Sequence, residues 1–343
     1  MKRKNKSKQA LCITVVSIVV IVVALGYYYF FSALSVNNEK QFLYIDNDDN
    51  IDSVYAKLSP MANKHSMIGF KSLVSISSYS KNIKTGRYEI TKDNGSLAVF
   101  RKLKSGLQAA VNLTIPSVRT KDKLAGMLSK KLMIDSLSIL HALNDSNICK
   151  KYNYTPSTIV CMFIPNTYDV YWNISLPKFL DKMNTESKNF WNYERTKKAE
   201  ALKLSKTEVI TLASIVDEET ANNTEKPMIA GMYYNRLMTN MPLQADPTIK
   251  FALQNFDIKR IYHNMLTVNS PYNTYTNIGL PPGPIRIPTV AGIDAVLNRV
   301  HHPYLYMCAK EDFSGTHNFA RTYQEHLQNA AKYTKALNSR GIK

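Results

Sequence analysis

Hydrophobic positions fall into three regimes along the chain. Residues 10–31 form an almost unbroken apolar run, preceded by Lys2, Arg3, Lys4, Lys6 and Lys8 and closed by Tyr27, Tyr28 and Tyr29. As a helix rising ~1.5 Å per residue, this run spans ~33 Å, about one bilayer core. The basic flank and the aromatic belt predict an uncleaved anchor over residues 10–31, with a cytoplasmic tail at 1–9. A cleaved signal peptide is the competing reading. The length of the run and the poor cleavage site Ser32-Ala33-Leu34-Ser35 speak against it.

Between residues 37 and 115, short apolar stretches alternate with turn residues. An acidic, turn-rich entry holds Asp46, Asp48, Asp49, Asn50 and Asp52. Residues 53–58 and 96–107 read as amphipathic helices; 73–77, 87–91 and 110–115 read as strands, with Asn94-Gly95 as a turn. From residue 116 to 343 helical spacing dominates, at 121–132 and 134–143 and in a long charged segment at 176–201. The Lys and Glu residues of that segment read as a solvated face. Residues 279–288, GLPPGPIRIP, have few backbone donors and predict a rigid wall, open to a cis proline. Residues 304–309 read as a strand. The predicted fold class is α+β: a transmembrane helix, a small module at 37–115, and a larger, mainly helical α+β domain at 116–343 with a short sheet.

The pattern is most informative at 205–219. Ser205 and Glu208 form a capping box. Val209, Leu212, Val216 and Glu219 then share one helical face, so a carboxylate ends an otherwise apolar stripe. Glu218 aligns instead with Thr207, Thr211 and Ser214, a polar face, and Asp217 lies between the two. A carboxyl on an apolar rim is poorly solvated when ionised, which raises its pKa and suits a general acid. A helix end with ordinary solvated acids, or a Glu paired with an Arg, is the plainer reading.

Charge and cysteines narrow the function classes. The net charge of +18 over 343 residues calls for an anionic partner or surface. The basic residues are scattered and no nucleic-acid motif appears, so a membrane surface or an anionic wall polymer fits better than DNA. Cys12, Cys149, Cys161 and Cys308 have no metal spacing and predict no essential disulfide. His301, His302, His317 and His326 likewise predict no metal site, and no cofactor is expected.

The run S-I-V-D-E-E-T, followed by A-G-M-Y-Y-N-R-L and M-P-L-Q-A-D-P-T, resembles the YceG-like family of membrane-anchored endolytic murein transglycosylases. The resemblance continues through S-P-Y-N-T-Y, G-L-P-P-G-P-I, H-N-F and E-H, across residues 204–326. It implies that Glu219, directly before Thr220, is the catalytic acid, the same residue the helical face selects. It implies a substrate site drawn from Asn235, Arg236, Gln244, Asp246, Ser270, Tyr272, Asn273 and Tyr275. Residue by residue, plainer roles compete. Arg236 fits a structural salt bridge, Asp246 a helix cap, and Ser270–Tyr275 a turn with buried tyrosines. At 163–168, Asn166 stands where the family's turn has Asp. The module at 37–115 resembles a LysM-like unit through T-G-R-Y-E-I and L-K-S-G-L-Q, as a glycan binder or as a spacer.

The implied reaction needs one carboxylate where most glycosidases need two. Glu219 protonates the glycosidic oxygen after N-acetylmuramic acid, then takes the proton of the 6-hydroxyl, giving a 1,6-anhydro end. Partners implied are peptidoglycan strands, the bacterial cytoplasmic membrane and peptidoglycan synthases, with the catalytic domain outside the cytoplasm. A muramidase using water, with Asp217, Glu218 or Asp246 as second carboxylate, and a non-enzymatic wall-binding scaffold are the alternatives.

Overall fold

The computed structural model describes residues 2–258 and 260–341. The chain forms two compact units, one of 1–112 with 131–133 and 169–174, the other of 113–130, 134–168 and 175–343. Each is described by itself.

The first unit opens with α1 (Lys2–Gly26), which widens into one π-helical turn, Tyr27–Phe31. Among the described residues, Lys8–Phe31 is the one helix long and apolar enough to cross a membrane, with mean hydropathy 2.7 and none of it buried. The basic side chains expected at Lys2, Arg3, Lys4 and Lys6 lie outside the described side chains. β1 (Gln41–Ile45), α2 (Ile51–Leu58), α3 (Lys64–Ser75), β2 (Gly86–Ile90) and α4 (Ser96–Ser105) follow. β1 and β2 pair antiparallel, Gln41 opposite Ile90 and Ile45 opposite Gly86. Leu34, Leu43, Ile45, Val54, Leu58, Phe70, Tyr88, Ile90 and Leu103 close the core at 1% exposure or less. In the acidic entry Asn50 caps α2, accepting the Ser53 N–H at 3.0 Å, and Asp49 holds the preceding turn by accepting the Asp46 N–H at 2.7 Å.

Two expectations change here. Residues 73–75 close α3 rather than begin a strand, because Met67, Phe70 and Val74 reach the core at helical spacing. β1, with no strand expected over it, forms because β2 gives its backbone partners.

In chain order the second unit contributes β3 (Val111–Ile115), α5 (Lys121–Ser129), α6 (Ser136–Asn144), α7 (Ser146–Lys151) and β4 (Asn166–Val170). β3 pairs with β4, and the division between units falls inside both strands. The charged segment at 176–201 is two helices, α8 (Leu176–Phe190) and α9 (Tyr193–Ala201). Asn192 starts the second by accepting the Arg195 N–H at 3.0 Å. Then come α10 (Lys206–Glu219), α11 (Lys226–Met238), α12 (Asp246–Ala252), α13 (Val290–Leu297), β5 (Tyr306–Ala309), β6 (His317–Ala320) and α14 (Tyr323–Ser339).

α10 is the axis of this unit, packed by α9, α11, α12 and α13. Its capping box is formed, with Ser205 N–H to Glu208 at 2.7 Å and Glu208 N–H to Ser205 Oγ at 3.2 Å. Burial is broader than one apolar face: every residue from Val209 to Asp217 is buried. The polar face survives burial because its hydroxyls find partners. Ser214 Oγ donates to Thr211 O at 2.6 Å and accepts the Ile285 N–H at 3.0 Å, which also docks the proline-rich wall on the helix. All described peptides in that wall are trans, so no cis proline forms there.

Candidate active site

Three successive acids end α10, and a helix turns them in three directions. Asp217 points into the core. Its carboxylate meets Lys226 Nζ at 2.7 Å and accepts the Thr289 N–H and hydroxyl, tying α10 to the starts of α11 and α13. Glu218 is clamped by Arg119 through Nε at 2.7 Å and Nη2 at 2.8 Å, and by Arg286 Nη1 at 3.0 Å. It is not the solvated acid its polar face suggested. Glu219 alone of the three lines a pocket of about 370 Å³.

Glu219 Oε1 accepts the Tyr233 hydroxyl at 2.5 Å. Burial pushes the Glu219 carboxyl up to about 7, and nearby Asp246 pushes the same way. Tyr233, His317 and Arg236 pull it back. Burial and the neighbouring Glu219 lift the Tyr233 phenol well above its ordinary range, so it remains a proton-bearing donor.

The expected substrate residues divide into two groups. Arg236, Gln244, Asp246 and Tyr275 line the Glu219 pocket. Arg236 is 7% exposed and makes no ion pair among the described residues. Its Nε and Nη1 donate to Leu305 O and Leu243 O, both at 2.6 Å. The guanidinium therefore braces the 241–245 loop and the approach to β5 while its charge acts on Glu219. Gln244 sits exposed at φ 49°, a left-handed backbone held by its N–H to Thr274 O at 3.0 Å. Asp246 is the first residue of α12 rather than its cap, which falls on Ala245. Its Oδ1 accepts the Tyr275 hydroxyl at 2.5 Å.

The second group stands outside this pocket. Asn235 Nδ2 donates to His302 O at 2.6 Å and Tyr304 O at 3.0 Å, holding the chain that leads into β5. Asn273 is fully buried. Its amide donates to Leu266 O and Val268 O, and its carbonyl accepts the Tyr275 N–H, all at 2.9 Å. Ser270 Oγ accepts the Tyr272 N–H at 3.2 Å. Tyr272 packs on Phe251, ring centres 4.7 Å apart. Within Ser270–Tyr275, then, Asn273 sets the turn and Tyr275 faces the pocket.

Other pocket residues were absent from the expected site. Tyr233 shares a face of α11 with Arg236, three residues on, and that spacing was the available signal. The far wall comes from β5, β6 and α14. Ala309 lies opposite His317 in an antiparallel pair, and His317 Nδ1 meets Glu225 at 3.1 Å. His326 stacks on Tyr306, ring centres 5.5 Å apart. Among the described residues, no group of His, Cys, Asp and Glu is arranged to hold a metal.

The chain is similar to known proteins over most of its length. The YceG-like family matches residues 43–332. A Bacillus subtilis protein named endolytic murein transglycosylase is 27% identical over 278 residues, covering 76% of each chain. A Streptococcus pneumoniae protein of the same name is 26% identical over 80% of this chain; the match spans 54% of that relative's length. The crystal structure of a YceG-like protein from Listeria monocytogenes superposes with a TM-score of 0.54 at 27% identity, covering 85% of this chain and 99% of that one. With the family matched over most of its length, this chain belongs to the YceG-like family.

Proposed function

We propose that this chain is an endolytic murein transglycosylase, cleaving between N-acetylmuramic acid and N-acetylglucosamine to leave 1,6-anhydro ends. The observation that carries this reading is Glu219: a carboxyl lining the pocket, lifted to about 7, beside two acids already tied off. At neutral pH such a group exists in both forms, as a residue that is acid and then base requires. Neutral Glu219 gives its proton to the glycosidic oxygen, and the bond to the anomeric carbon breaks. The Glu219 anion, stabilised by the Tyr233 hydroxyl, then takes the proton of the muramoyl 6-hydroxyl as that oxygen closes on the anomeric carbon. No water is consumed, and Glu219 ends protonated. Gln244, with amide donor and acceptor at the rim, and Arg236 supply polarity around the developing charge.

A water-using muramidase has one support, since Asp246 is the other carboxylate on the pocket lining. Its Oδ1 is engaged by Tyr275, and it acts on Glu219 through charge. Incubating the full chain with purified glycan strands and reading product masses tests the proposal. Ends lighter by one water than hydrolytic ends support transglycosylation; reducing ends support the muramidase.

The apolar helix serves as a single-pass anchor in this reading, N-terminus in the cytoplasm and the remainder outside, where nascent murein and its synthases are. The module at 37–115 is proposed as LysM-like, touching glycan or setting the distance from the membrane. The protein thereby acts on strands close to where they are made, ending their elongation.

A further inference from the structure

A second cavity of about 360 Å³ lies beside Glu218, and its lining shares no residue with the Glu219 pocket. Its size falls at the lower end of the ~300–1,000 Å³ typical of small-ligand sites. The turn at Ser270–Tyr275 serves both spaces, with Tyr275 on the Glu219 pocket and Tyr272 on this one. Tyr272 and Phe251 form an aromatic wall. Opposite in character are Arg119 and Arg286, two guanidinium groups that share the single carboxylate of Glu218, with Asp257 also acting on Arg119 through charge. Lys121 adds a third cation. Its Nζ is held at 2.7 Å by two neutral oxygens, Leu143 O and Asn144 Oδ1, and the neighbouring Asp122 acts on its charge. Asp122 is the acid on the lining. A lining that combines aromatic rings, paired guanidinium groups, amides and hydroxyls suits a ligand with an apolar face, polar substituents and a carboxylate.

We propose that this cavity is a second binding site, separate from bond cleavage, for a carboxylate-bearing N-acetylated sugar. The sugar class rests on the proposed action on murein; the need for a carboxylate rests on the arginine pair alone. The full chain in detergent micelles, titrated with N-acetylmuramic acid and followed by ligand-observed NMR, is expected to bind it saturably. N-acetylglucosamine, which lacks the carboxylate, is expected to bind about tenfold more weakly, as loss of one charge-assisted contact implies. Arg119→Gln weakens N-acetylmuramic acid by a similar factor, and Leu140→Trp, which fills the cavity, abolishes binding, with thermal melting showing that both variants fold. Glu219→Gln retains it, and its loss in Leu140→Trp, on a lining the Glu219 pocket does not share, assigns the binding to this cavity. Absence of saturable binding, equal binding of the two sugars, or binding that survives both Arg119→Gln and Leu140→Trp overturns the proposal. Each result is independent of whether the chain cleaves glycan, so the two readings fail separately.

Discussion

Tyr233 Oη donates a 2.5 Å hydrogen bond to Glu219 Oε1. The bond opposes the burial that lifts the carboxyl, and it leaves Oε2 free to carry the acid proton. In Tyr233→Phe the burial remains and the opposing bond is gone, so the Glu219 pKa rises further. Because the proposed reaction needs neutral Glu219, its rate falls as pH rises through that pKa. The alkaline limb of kcat/KM should therefore move to higher pH, and the maximal rate should drop about tenfold with loss of the bond. A limb that stays in place contradicts the role given to Tyr233.

Asp246→Asn should act in the opposite direction. The Asp246 charge pushes the Glu219 carboxyl up, so neutralising it lowers the pKa and moves the same limb to lower pH. Complete loss of cleavage in Asp246→Asn, with the fold intact, would point to the two-carboxylate reading.

Glu218→Gln should cost stability. Its carboxylate is 10% exposed and holds Arg119 and Arg286, so the substitution should lower stability by about 1–3 kcal/mol. Thermal melting reads this directly; an unchanged melting temperature would mean the clamp is dispensable.

Lys226→Met strands the Asp217 charge in the core, where its side chain is 2% exposed and that of Lys226 5%. Breaking such a pair from one side costs about 3–5 kcal/mol. Denaturant unfolding followed by circular dichroism should show a shift of that size. Asp217→Asn, which leaves the Lys226 ammonium unpaired in the same place, should cost a similar amount.

Gly69→Val tests how the apolar helix enters the first unit. A Cβ on Gly69 runs into the backbone oxygen of Tyr29, and one on Gly95 would lie 2.6 Å from the backbone oxygen of Phe30. Tyr28 stacks on His65 with ring centres 4.1 Å apart, and Leu34 is fully buried. The variant should expose residues 32–36 to proteases, which limited proteolysis in detergent would detect. Unaltered protection there would show that this contact is not needed.

What the sequence disclosed depended on how local the information was. The α10 capping box and the Glu219 face follow from spacing within one helix, and so does the apolar run ending at Phe31. Ser214 was misleading, because its burial is made tolerable by Ile285, a partner 71 residues away. The resemblance implied Asn235 and Asn273 as substrate residues, yet each amide bonds backbone carbonyls, those of Asn235 more than sixty residues away. The wall built from β5, β6 and α14 required knowing that residues 306–326 return to α11.

The central claim is that Glu219 alone of the three adjacent acids carries the chemistry. Its most direct test is product formation by the full chain as wild type, Glu219→Gln and Glu218→Gln, with ends identified by mass spectrometry. The expected result is anhydro ends from wild type and from Glu218→Gln at comparable rates per folded molecule. Glu219→Gln should form none while keeping its fold. Anhydro ends from Glu219→Gln, or their loss in a folded Glu218→Gln, would contradict the assignment.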